Sequence, residues 1–259
     1  MPAELLSATS EIVLREAVVT DAEAIFSLKR SAFGDNYLLY TIYQTRQSLE
    51  FLRSLIAVQE FVVAERGSNI VGYYNAVPRN DYLFLNYIAV APQIASQGVG
   101  TKLVLNCSAK AGQIGCIGIE LDVFASNQRA IHWYERIGFE VVNDLYFYRV
   151  CLRDVAQSTI VPLAASDELE CALAEEQRQG FSKFSCRYMK QELLVGLIAG
   201  HTCKLFENCT TLTDQESAGA IAALFPDRPY LILSSHRPPP ATLPVVNYER
   251  SIRMRKLLI

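Results

Sequence analysis

The sequence predicts an α/β fold, and three observations carry that prediction. Apolar runs at residues 61–65, 70–76 and 82–90, joined by turn signals, read as an antiparallel meander. The third run leads through a short loop containing Gly98 and Gly100 into a helical pattern. Strand, helix and strand then follow from Ile119 to beyond Phe139.

Taken in order, residues 11–17 form the first strand candidate. Thr20, Asp21, Ala22 and Glu23 read as a capping box that opens a helix. Its apolar stripe is Ile25, Phe26, Leu28 and Phe33, and Gly34, Asp35 and Asn36 break it. A second helix is expected over about residues 45–57, with Leu49, Leu52 and Leu55 inside. Between the two helices, Tyr37, Tyr40 and Tyr43 are read as rings covering the sheet, an aromatic substrate wall being the alternative. The meander turns at residues 66–69 and 78–81. After the glycines, Leu103, Val104, Cys107 and Ala111 share one helical face. Residues 119–124 alternate as a strand. Asn127 starts a helix lined by Ala130, Ile131, Tyr134 and Ile137, and Gly138 ends it.

The bulk properties exclude several classes. A chain of 259 residues, 51% hydrophobic and 20% charged, is globular and can bury a substantial core. A net charge of −3 without a long basic block argues against a nucleic-acid partner. No apolar run reaches the length of a membrane span. The first residues show no basic region followed by an apolar core, so no export signal is expected. Seven cysteines without a C-x-x-C pair, and three scattered histidines, argue against zinc and fit a reducing cytoplasm. Cys107 and Cys171 are expected as small core residues.

A strand followed by a glycine loop and a helix suits an anion. The first helical turn carries N–H groups without intrahelical partners, and the macrodipole is positive there. The segment 85–101, LNYIAVAPQIASQGVGT, has this form, and N-x-x-A-x-x-x-Y-x-x-x-G-F recurs at Asn127, Ala130, Tyr134, Gly138 and Phe139. Together the two motifs resemble the GNAT acetyltransferase superfamily, over residues 11–152. The resemblance implies a mixed sheet and acetyl-CoA as co-substrate. It puts the pyrophosphate on the amides of Ser96, Gln97, Gly98, Val99, Gly100 and Thr101. It puts the pantetheine arm along Ile88, Ala89 and Val90, with the Val90 amide polarising the thioester carbonyl. Tyr134 would protonate the departing thiolate, a core aromatic being its plainer reading. Asn127 would bond the pantetheine or the neighbouring backbone, and a helix cap is a role it fills in any case.

The chain departs from the family pattern at three positions. Ala95 stands where Gln or Arg is usual, Ser96 where Gly is frequent, and Asn86 where a Glu often lies. Glu120 and Asp122 share one face of their strand, and no general base is assigned. The expected activity is acetyl transfer to a primary amine of a small molecule, a protein amine being the lesser alternative. The alternative is a non-catalytic acyl-CoA binder or sensor. A P-loop is a third reading, and it lacks the Lys-Ser/Thr pair; Thr101 and Lys102 stand in reverse order.

Residues 153–259 lack both motifs and still echo the first half. Ile160 and Val161 followed by Ser166 and Asp167 mirror Ile12 and Val13 followed by Thr20 and Asp21. Val245, Val246, Asn247 and Arg253 match Val141, Val142, Asn143 and Arg149. Residues 203–206, a helix over 214–225 and residues 230–234 alternate as before. The expected organisation is a GNAT domain at 1–152 and a smaller degenerate GNAT-like domain at 153–259. Thr213, Asp214, Gln215 and Glu216 form a capping box that occupies the second half's helix start, so one cofactor site is expected.

Overall fold

The computed structural model describes residues 11–155, 167–188, 191–206 and 213–258. In chain order its elements are β1 (Ile12–Glu16), α1 (Ala22–Ala32), α2 (Asp35–Leu38), α3 (Ser48–Ile56), β2 (Glu60–Arg66), β3 (Asn69–Arg79), β4 (Tyr82–Val90), α4 (Val99–Gln113) and β5 (Gly118–Phe124). There follow α5 (Gln128–Arg136), β6 (Glu140–Cys151), α6 (Asp167–Gln179), β7 (Phe181–Tyr188), β8 (Gln191–Ile198), β9 (Thr202–Leu205), α7 (Asp214–Leu224), β10 (Tyr230–Ser235) and β11 (Val245–Leu257). Two compact units result. One holds the described residues up to Gly34, Arg53–Leu121 and the end of the chain from Arg255. The other holds Asp35–Leu52 and the described part of Asp122–Met254.

In the first unit the sheet order is β1-β2-β3-β4-β5, antiparallel up to β4 and parallel between β4 and β5. Left-handed Gly67 (φ 62°) and Asn80 (φ 50°) make the two hairpin turns. Helix α4 buries Val99, Leu103, Val104, Cys107 and Ala111, the stripe its spacing predicts. Gly72 on β3 allows its close approach. A Cβ there would meet Ala89 O, Leu103 Cδ1 and Val99 Cγ1, each at 3.2 Å.

Helix α1 begins differently from the expectation. Thr20 lies inside a 3-10 turn, Val19–Asp21, and no Thr20 box forms. The Asp21 carboxylate instead accepts from the Val18 N–H at 2.8 Å and from both Arg15 terminal nitrogens, at 2.6 and 3.0 Å. A bidentate charged partner outbids a neutral hydroxyl cap. The same contacts hold the Asp21 carboxyl below its usual range.

In the second unit the order is β11-β6-β10-β9-β8-β7. β7, β8 and β9 pair antiparallel, and β10 then runs parallel to β9. The succession repeats that of β2, β3, β4 and β5, and α7 follows β9 in the chain as α4 follows β4. One face packs against α6 and α7 through Val195, Leu197, Leu231 and Ile221. Tyr40 packs with Phe181, Ile198 and Ile232 in a separate cluster. Tyr40 and Tyr43 are buried, which favours the covering role for these two rings.

Cys171 corrects an expectation. It is exposed, because α6 buries Ala172, Glu176 and Gln179, a stripe displaced by one residue. Glu176 is held in the interior by a bidentate pair with Arg228 and by the Gly200 N–H at 2.9 Å. A buried carboxylate needs such a full set of donors. The strand expected at Ile160 and Val161 lies outside the described residues, as does Ser166.

Candidate active site

The site begins with a fork in the sheet. β4 pairs with β5 only through Tyr82 with Gly118, Leu83 with Ile119 and Phe84 with Glu120. Directly after this the β3–β4 register slips. Asn75 opposes Tyr87 and Ala76 opposes Leu85, which leaves Asn86 as the extra residue of a bulge. The Asn86 amide nitrogen donates to Asn75 Oδ1 at 3.1 Å, and the Asn75 amide donates to Glu60 O at 3.0 Å. Two side-chain amides therefore lock the bulge. The position where the family often has a Glu performs a structural task here.

Beyond the bulge, β4 remains bonded to β3, and no strand pairs with its other edge among the described residues. N–H directions alternate along a strand. That of Ala91 goes to Val71 O at 2.8 Å on β3, so that of Val90 faces the unpaired edge. That of Ile88 does the same by the same alternation.

The loop that follows contains two left-handed residues, Ser96 (φ 72°) and Gly98 (φ 81°), on either side of Gln97. The Gln97 side chain accepts from Arg66 Nη2 at 2.7 Å, which brings a cation to the loop. Gly98 is the N-cap of α4. No side chain caps this end, and the first turn holds no acidic residue. The amides of Val99, Gly100 and Thr101 thus form a positive terminus. Helix α7 is the opposite case. Its Thr213 N–H donates to Glu216 Oε2 at 2.8 Å, and the Glu216 N–H donates to the Thr213 hydroxyl at 3.2 Å. Asp214 and Glu216 add negative charge to that first turn.

Residues 88–90 and 96–101 lie together in the first unit, while Asn127 and Tyr134 belong to the second. Asn127 caps α5, its Oδ1 accepting the Ala130 N–H at 3.1 Å. Tyr134 is buried, with ring centroids 4.6 Å from Trp133 and 5.4 Å from Phe139. Gly138 (φ 92°) ends the helix as its spacing predicts.

Comparison with known proteins gives the family. A model described as the Acetyltransferase (GNAT) family matches residues 22–139. An N-alpha-acetyltransferase of Sulfurisphaera tokodaii is 32% identical over 154 residues, which are 53% of this chain and 86% of that protein. The chain belongs to the GNAT acetyltransferase family. The chain is a mixed α/β structure, and its likeness to solved GNAT-fold structures extends along nearly its whole length. The GCN5-related N-acetyltransferase of Sphaerobacter thermophilus superposes with a TM-score of 0.62 at 16% identity, covering 95% of each chain. That of Kribbella flavida gives 0.56 at 12% identity, covering 97% of this chain and 72% of the other.

Two carboxylates of this GNAT chain were open candidates for a base, and both are engaged. Asp122 receives Arg253 Nε and Nη2, each at 2.9 Å. Glu120 Oε1 receives Arg255 Nε at 2.9 Å and Nη2 at 2.6 Å. The face shared by Glu120 and Asp122 is the one that β11 supplies with arginines. Sequence reading missed these partners because they lie more than 130 residues away along the chain.

A buried lysine was also missed. Lys29 on α1 is 2% exposed, and its Nζ sits 2.9 Å from the Tyr87 ring centroid, next to the bulge. Burial pushes its amine well below the ordinary 10.5. No helix among the described residues is long and apolar enough to cross a membrane.

Proposed function

We propose that this protein transfers an acetyl group from acetyl-CoA to a primary amine of a small molecule. The observation that carries the reading is the adjacency of an unpaired β4 edge to the uncapped start of α4. The pyrophosphate lies on the amides of residues 96–101, where backbone dipole and N–H groups favour an anion. The pantetheine pairs along residues 88–90. The Val90 N–H donates to the thioester oxygen, and a donor of this kind contributes about 10²–10³ in rate. The amine nitrogen attacks the carbonyl carbon, the C–S bond breaks, the thiolate takes a proton from Tyr134, and the proton lost from the amine nitrogen leaves through solvent, which returns one to the Tyr134 phenolate. That last role, and any contact of Asn127 beyond its cap, rests on the family motif.

We read residues 153–259 as a degenerate repeat without a cofactor site. The capped, acidic start of α7 supports this, since it repels an anion and already uses the amides that would bind one.

A non-catalytic acyl-CoA binder is the second reading, favoured by Ala95 and by the engagement of Glu120 and Asp122. Acetyl-CoA with a broad panel of small amines separates the two. Thiol release above the hydrolytic background is expected for at least one amine. Tight calorimetric binding of CoA with background release throughout the panel would leave the sensor standing.

A further inference from the structure

We propose that Arg255 is a positioning residue for the cofactor slot, pinning the fork at which β4 and β5 part. The proposal rests on the cofactor reading above. The last β4–β5 pair is Phe84 with Glu120, and Glu120 is the residue that Arg255 grips. The same guanidinium lies 4.4 Å from the ring centroid of Tyr82, which opens that short pairing on β4. One side chain from β11 therefore holds both arms of the fork at their base.

The backbone around it is equally close. A Cβ on Gly118 would meet Lys256 O at 2.4 Å, so β11 passes where only glycine fits. The Leu258 N–H donates to Ile117 O at 2.9 Å, and the Ile117 N–H donates to Asp81 O at 2.8 Å. These bonds lace the end of β11 to β5 and, through Asp81, to the turn before β4. Arg255 and these bonds fix β4 and β5 at their last paired residues, Phe84 and Glu120, where the slot begins. Arg255 lies far outside residues 22–139, so the half without a cofactor loop supplies the pin for the half that has one.

The Arg255 side chain is 37% exposed, so its removal is expected to cost little global stability. Misplacing a slot edge costs more in binding than in stability. Arg255→Gln is expected to raise the Kd for CoA and the KM for acetyl-CoA about tenfold, with kcat changed far less. Amide exchange over residues 85–90 should accelerate while that of β1 and β2 stays as in the wild type. The reciprocal pair Glu120→Arg with Arg255→Glu restores the ion pair but not the cation on the Tyr82 ring, and should recover both only in part. An Arg255→Gln protein with wild-type CoA affinity and wild-type exchange over 85–90 overturns the proposal. So does exchange that rises evenly across the unit, which marks general loosening. Wild-type protein that fails to bind CoA defeats the cofactor reading instead, and the exchange measurements still decide whether Arg255 holds the fork.

Discussion

Tyr134 and Lys29 are both buried, and burial asks different things of them. A phenol that protonates a thiolate contributes on the order of 10²–10⁴ to the rate. Tyr134→Phe keeps the ring against Trp133 and Phe139 and removes only the hydroxyl. We expect kcat to fall by about 10² or more, with CoA affinity by calorimetry nearly unchanged. An unaltered kcat would return Tyr134 to the core. Lys29 makes its mark on stability. The Tyr87 ring favours the ammonium by about 0.5–2 kcal/mol, which offsets only part of the desolvation. Its pKa is therefore lower folded than unfolded, and the unfolded chain binds more protons between the two values. The Lys29 contribution to stability therefore rises with pH from the folded pKa up to about 10.5. Urea unfolding over the part of that window below about pH 9, where the buried Cys107 and Cys203 thiols do not yet oppose it, should show the rise in the wild type, and Lys29→Met should abolish it.

At the scale of elements, α4 and α7 share a place in the strand–helix–strand succession and differ in their first turns. Thr101 occupies in α4 the third helical position that Glu216 occupies in α7. A carboxylate there competes with the pyrophosphate, at about 1–4 kcal/mol for charges 4 Å apart. Thr101→Glu is thus expected to weaken CoA at least about tenfold while leaving the melting temperature unchanged or slightly higher. Thr213→Ala should do the reverse, costing about 1 kcal/mol of stability without touching CoA affinity. Both follow from calorimetry and denaturant melts on the same proteins.

The α4 contrast was legible in the sequence because capping and glycine loops are local. So were the meander, the α4 stripe and the Asn127 cap. What stayed hidden was non-local or weakly periodic. The run QELLVGLI of β8 is apolar almost throughout, and FSKFSCRY of β7 mixes polar residues into its buried face, so neither gives a clean period of two. The Asp21 cap depends on Arg15 from a neighbouring strand, and the Asn75–Asn86 lock depends on a register slip.

At the scale of the molecule, the two halves of the sequence do not close their own sheets. β6, from the first half, pairs with β10 from Tyr230 opposite Cys151 to Ser235 opposite Tyr146. β5 is flanked by β11, through the Ala125 N–H to Arg250 O at 2.8 Å and the two arginine–carboxylate pairs. β11 itself begins in the second compact unit and ends in the first. A chain cut after residue 152 would therefore expose β6 and β5 along edges built for pairing. It would also leave Glu120 and Asp122 without their cations. Unpaired edges recruit other chains, and two like charges on one strand face then lack the arginines that balance them. Residues 1–152 produced alone are thus expected to be largely insoluble, and to bind CoA far more weakly than the whole chain in whatever fraction stays in solution. Adding residues 153–259 as a separate chain during refolding should recover soluble, CoA-binding material, because β10 and β11 can still pair in trans. A monomeric 1–152 fragment with full CoA affinity and a cooperative melt would show that the first half completes its own sheet, and that β11 serves only the second.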